Sequence, residues 1–259
     1  MEVARFIFWT ALKTLSLVFL GLLAGKAVAG LRLPAAVGQG KRFGLVLVRG
    51  ALYVLILLLV ILGARHVGID VAAQNYAWTS EKNLAQAQLA KAYANAMRAV
   101  ELRPGELRYW QMLARTKLAV RQFASLVGDM PNIQALSGGK LDEDDAYRLA
   151  AAYYFLGQHD KVIPLTQQMI RENRMYRSAY VLQGYGYMAQ KKYPEAQRTF
   201  LQVLQIFPTQ QSAVEGLAHV HFLMGNTTAA LDVLGQTSRF PFPPEARQRF
   251  EALKALYAQ

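Results

Sequence analysis

The 259-residue chain has no cysteine, which excludes disulfides, thiolate metal sites and thiol catalysis. Whatever it builds is held by packing alone. Acidic residues are missing over a long stretch: no Asp or Glu occurs between Glu2 and Asp70. The chain also lacks G-x-S-x-G, H-E-x-x-H and any paired carboxylates in a pocket-forming context, the usual marks of a hydrolase nucleophile or a zinc centre. Gly138-Gly139-Lys140 has neither the upstream glycine nor the following Ser/Thr of a phosphate loop. These absences predict a non-enzymatic chain with no catalytic residue, no cofactor and no metal.

What fills the acid-free front is apolar. Residues 50–63 read GALYVLILLLVILG, and with residues 45–48 ahead they form a span near 19 residues, interrupted only by Arg49. A bilayer crossing takes about 20 residues. Arg49 lies near the charged end, beside Lys41 and Arg42, and can snorkel to the headgroups. An earlier apolar segment, 6–24, carries Lys13 near its middle. It reads as a first crossing, an interfacial helix, or a signal peptide with Ala27-Val28-Ala29 as cleavage site. The expectation is a membrane anchor over 1–70: a helix hairpin of segments 6–24 and 45–63 with a basic joint at 25–44. Lys13 and Arg49 are then its polar contacts to a membrane partner.

Charge orients the anchor. The joint carries Lys26, Arg32, Lys41 and Arg42 with no acid to balance them, and the positive-inside rule places it in the cytoplasm. Residues 71–259 then lie across the membrane, which in a bacterium means an inner-membrane protein with a periplasmic domain. A signal-peptide reading reverses this. The net charge is +12; residues 1–63 hold seven Lys/Arg against one Glu, and the remainder 22 against 16. That surplus forms no dense basic stripe interleaved with aromatics, so nucleic acid is not an expected partner.

The rest of the chain repeats. RSAYVLQGYGYMAQKKYPEAQRTFLQVLQIFP, residues 177–208, places Tyr180, Gly184, Tyr187, Tyr193, Ala196, Phe200 and Pro208 along a helix–turn–helix. Upstream by 34 residues, Ala150, Tyr153, Gly157 and Val162 occupy matching positions; downstream by 34, Ala218, His221, Gly225 and Ala230 do so. Ala92, Ala96, Ala99 and Pro104 supply the second half of an earlier unit, and Trp110, Leu113 and Ala114 open another. Two surplus residues fall near Gly138 and Gly139, where glycine tolerates irregular backbone. After Phe240 to Pro244, the periodicity of Phe250, Leu253 and Leu256 predicts a capping helix. This pattern resembles the tetratricopeptide repeat (TPR) family over roughly residues 75–259. Gln183 and Arg174 depart from it, standing where Leu and Pro are usual. The predicted fold is all-α: the anchor, then a TPR-like α-solenoid over 71–259 with a C-terminal cap.

The resemblance implies a binding surface. In such arrays the first helices line a concave groove at fixed places in each repeat, which here are Arg108, Gln111 and Arg115; Tyr147, Tyr154 and Phe155; Val181, Tyr185 and Met188; and Glu215, His219 and Phe222. This wall is basic at one end, aromatic beyond, and suits an amphipathic helix or extended peptide. The opposing reading has several aromatics packing between neighbouring helices. Two further candidates read as structural. His219 and His221 point in different directions on a helix and cannot share a metal, and Asp142 to Asp145 cap a helix rather than bind calcium. The Lys/Asn set of carboxylate-clamping TPR domains is missing. The expected function is a membrane-tethered scaffold or adaptor with protein partners at the lipid bilayer, in polysaccharide synthesis or export. The alternatives are an auxiliary subunit of a membrane enzyme and a periplasmic chaperone. The latter is similar to the apocytochrome-holding component of cytochrome c maturation, although the joint here is shorter.

Overall fold

The structure, a computed structural model, describes Lys26 and residues 39–258, with only the backbone for residues 39–49. Segment 6–24, Lys13, most of the basic joint and the side chain of Arg49 lie outside what it describes. All regular structure among the described residues is helical, in two compact units divided between Tyr109 and Trp110.

The first unit is built on one helix, α1 (Gln39–Ala85), 47 residues without interruption. No proline occurs in it, so nothing removes a hydrogen bond from its ladder. At 1.5 Å per residue it is about 70 Å long. Its first half carries the apolar run, which is exposed: Leu57, Leu59 and Leu62 are each close to 60% accessible. Its last turns are of another kind. Ala73, Ala77 and Ser80 are buried at helical spacing, opposite Ala92, Ala96 and Ala99 of α2 (Leu89–Leu102). Small side chains on both faces let the two helices approach closely, and Ser80 Oγ donates to the Ala92 carbonyl at 2.8 Å. At the end of α2, Arg103 pairs with Asp70 of α1 and donates to His66 Nε2 at 2.9 Å. The end of α1 is therefore the first helix of a repeat whose second helix is α2. The composition change near residue 70 does not coincide with any break in the backbone.

The helices continue as α3 (Leu107–Ala119), α4 (Phe123–Leu136), α5 (Glu143–Phe155), α6 (His159–Glu172), α7 (Arg177–Ala189), α8 (Tyr193–Ile206), α9 (Gln211–Leu223) and α10 (Thr227–Gly235). A short 3-10 turn (Gln236–Arg239) then leads to α11 (Pro244–Tyr257). Glu143, Arg177 and Gln211 start first helices 34 residues apart, whereas Leu107 precedes Glu143 by 36. The two extra residues lie in the loop after α4, where Gly138 and Gly139 have φ of 77° and 92°. A left-handed residue closes every first helix: Ala87, Arg121, Gly157, Lys191 and Gly225. Asp142 caps α5, its Oδ1 accepting from the Asp145 amide at 2.7 Å.

Within the second unit each helix from α4 to α10 packs on its neighbours in sequence, and in addition α7 touches both α5 and α9. First helices thus approach one another while the second helices splay, which puts α5, α7 and α9 on the inner side of the stack. Phe200 locks the centre. It is fully buried, and Cβ atoms on Gly184 and Gly216 would stand 2.6 and 2.4 Å from its ring. Glycine is therefore required on both flanking helices. α4 is fastened to α3 by a nearly buried Lys117–Asp129 pair. The cap differs from expectation in one face: Phe250 is buried and Leu253 packs beside it, but Leu256 is 57% exposed and Tyr257 is buried in its place.

Candidate functional site

The row expected to form a groove sits on the first helices, and the structure divides it into three kinds of position. Arg108 closes the first unit; its guanidinium lies 4.7 Å over the Tyr109 ring and donates to that hydroxyl at 2.9 Å. On α3 in the second unit, Arg115 is exposed, and Gln111 Nε2 donates to both Asp142 and Asp145 at 2.8 Å. Gln111 thus fastens α3 to the capped start of α5. Burial pushes the Asp145 carboxyl above the usual range, against the opposing pull of Gln111 and Arg148.

The aromatic positions are shared between packing and surface. Tyr147 meets Tyr176 edge-on at 6.0 Å, and Tyr154 lies 6.4 Å from Tyr185 on the next first helix. Tyr185 in turn meets Phe200 edge-on at 5.3 Å, and its hydroxyl donates to the Ser212 carbonyl at 3.0 Å. Burial raises the phenols of Tyr147 and Tyr154, and that of Tyr185 to about 12. These rings stay neutral donors at physiological pH and bind repeat to repeat. Phe155 stacks on Phe123 at 4.7 Å yet remains 52% exposed. Val181 and Met188 are half-buried against the same cluster. The open part of the row is Phe155, the outer edges of Tyr154 and Tyr185, and Val181 with Met188.

At the far end the chain covers its own row. Tyr257 stacks on Phe222 at 4.4 Å and its hydroxyl lies 3.0 Å from His219 Nδ1. His219 and Phe222 therefore hold the cap, and only part of Phe222, 37% exposed, is left to a partner. Burial lowers the His219 pKa, disfavouring the charged ring. Sequence reasoning missed Tyr257 and Phe123; Tyr257 follows the periodic Leu253 and Leu256 and was hidden behind the latter. His221, on another face of α9, lines an outer cleft with Leu217 and Phe242. Among the described residues no group of three His, Asp or Glu is placed to hold a metal ion.

Solved structures show what this geometry is similar to. TTC0263, a thermophilic TPR protein of Thermus thermophilus, superposes with a TM-score of 0.56 at 19% identity, covering 70% of this chain and 98% of that one. The fold is TPR-like. MamA 41-end from Desulfovibrio magneticus RS-1 has the same TM-score at 12% identity, covering 65% of this chain and 94% of that one. YrrB, a TPR protein with an unusual peptide-binding site, has a TM-score of 0.50 at 17% identity, covering 68% of this chain and 90% of that one. No family model and no curated protein matches the sequence. The TPR-like helices carry the open row on their inner side, which is where such a repeat stack offers a surface instead of a cavity.

Proposed function

We propose that this chain is a non-enzymatic scaffold that holds a protein partner on the inner row of its repeats beside a membrane. The observation that carries this reading is the build of α1: one unbroken helix bears an exposed apolar run and the first helix of a repeat. An 18-residue window of that run has mean hydropathy 2.3 with none of it buried, and apolar surface of this extent marks contact with lipid or with another protein. Tethering raises the local concentration of a membrane partner, so modest affinity in the row suffices. The charge of the basic joint, read by the positive-inside rule, supports a periplasmic position for the repeats at a bacterial inner membrane, and polysaccharide synthesis or export is the proposed setting. Phe155, Val181 and Met188 are the proposed anchors for a helical or extended peptide, the kind of ligand suggested by the peptide-binding site of YrrB. A second reading, an auxiliary subunit bound mainly through the apolar run of α1, is favoured by that run's exposure.

Site-specific photocrosslinking in native membranes tests the scaffold reading. Crosslinkers at Val181 and Met188 are expected to capture one discrete protein, with little adduct at Gln202 on the outer helix α8. Equal, diffuse labelling at all three positions would reject the row as a binding surface.

A further inference from the structure

The inner row is open along α5 and α7 and closed over α9, and what closes it is a side chain from the end of the cap. Tyr257 lies flat on Phe222, with ring centroids 4.4 Å apart and planes 15° off parallel, and its hydroxyl is 3.0 Å from His219 Nδ1. Phe222 stands one repeat after Met188 in the row, and His219 one repeat after Tyr185. Burial first, then the charge of Glu215, raises the Tyr257 phenol. The Tyr185 phenol is raised by burial, by Glu215 and by the phenols of Tyr154 and Tyr257, so the covered end continues directly from the open part. A ring stacked on a ring and a hydroxyl on an imidazole are the contacts that a tyrosine of a bound peptide would make there.

The rest of the cap does not depend on those contacts. Ala246 and Phe250 of α11 are buried with Phe242, Ala230 and Leu234, and Leu253 packs beside them. Of residues 255–258 only Tyr257 is buried, while Ala255, Leu256 and Ala258 are exposed. One side chain therefore holds the last turn of α11 to the row, at a helix end, where local opening costs least. That turn can leave while the body of the helix stays docked.

We propose that Tyr257 is a replaceable occupant of the inner row: a partner segment bearing a tyrosine displaces the last turn of α11 and seats its own ring on Phe222, with its hydroxyl on His219. This rests on the row being the binding surface, and adds to it a residue type in the partner and a built-in threshold for binding. While the turn is closed, apparent affinity is lowered by the fraction of chains that are open. Segments with no aromatic ring to offer are thereby held off.

Photocrosslinking in native membranes tests it, with the full chain carrying the crosslinker at Met188. Tyr257→Ala is expected to raise the yield of the partner adduct about tenfold at limiting partner, because the competing ring is gone. Adding Phe222→Ala should return the yield to the wild-type level or below, since the platform is lost. Tyr257→Phe, which keeps the stack and drops the hydroxyl contact, should give a smaller rise. With the crosslinker moved to Leu223 in the Tyr257→Ala chain, the adduct should map to a partner segment containing a tyrosine. A purely structural cap contact predicts otherwise: yield unchanged or lower in both Tyr257 variants, with a reduced unfolding temperature. That result, an equal rise with and without Phe222, or a mapped segment lacking tyrosine would overturn the proposal and leave the row as binding surface intact. No adduct at Met188 in any form would remove the row as binding surface and this inference with it.

Discussion

At the scale of single residues, Phe200 organises the central repeats. Its ring sits between Gly184 and Gly216 and meets Tyr185 edge-on, so the same side chain that fills the core also positions a ring of the inner row. Gly216→Ala tests this. In an unobstructed helix the change would gain about 1 kcal/mol in helix propensity. Here the new methyl would stand under 3 Å from three ring atoms, and overpacking of a closed core costs about 1–3 kcal/mol. We expect a net loss, seen as a lower unfolding temperature, and an unchanged or higher temperature would contradict the wedge. Gly184 was legible in the sequence because it recurs at the repeat spacing as Ala150 and Ala218. Gly216 was not, since nothing marks its place in the other repeats and only the tertiary ring explains it.

Elements repeat more faithfully than residues. The left-handed position that ends each first helix is occupied by Ala87, Arg121, Gly157, Lys191 and Gly225. Only two of the five are glycine, so the turn was plain in the third and fifth repeats and concealed in the others. The chain tolerates the strain at the remaining three because both flanking helices are fixed by packing. Gly157→Val should be costly, about 1–2 kcal/mol, since a β-branched side chain meets its own carbonyl in this conformation. Space is not the issue, because nothing lies within 4 Å of an added Cβ. Thermal unfolding of Gly157→Val beside Gly105→Val, a glycine with equal space and no positive φ, would separate the two causes. Equal effects at both sites would refute the backbone account. The element hardest to read was the end of α1. Its small-residue face, Ala73, Ala77 and Ser80, follows directly on an apolar run that dominates any hydropathy reading. The capping helix was legible through Phe250 and Leu253, but its last turn was misassigned because Leu256 and Tyr257 are adjacent and equally apolar in pattern.

For the molecule as a whole, the order of segments is the claim that matters. An exposed apolar helix leads without a break into a repeat, and the inner row of the later repeats keeps an open aromatic and thioether surface while the cap closes its far end. Fold class and repeat register came from the 34-residue period, whereas the division of the row into packing and open positions did not. That division depends on which side chains are closed over across repeats, as Tyr185 is by Phe200 and the Ser212 carbonyl while Phe155 stays 52% exposed. If the row is the recognition surface, the apolar run serves only to hold it in place. The most direct measurement is a crosslinking pull-down from native membranes with the full chain and with a chain starting at Val71, which keeps the Ala73, Ala77 and Ser80 face against α2 while removing the Asp70 and His66 partners of Arg103. The account predicts the same partner in both, in lower yield without the apolar run. A partner captured only by the full chain would contradict it and assign recognition to that run.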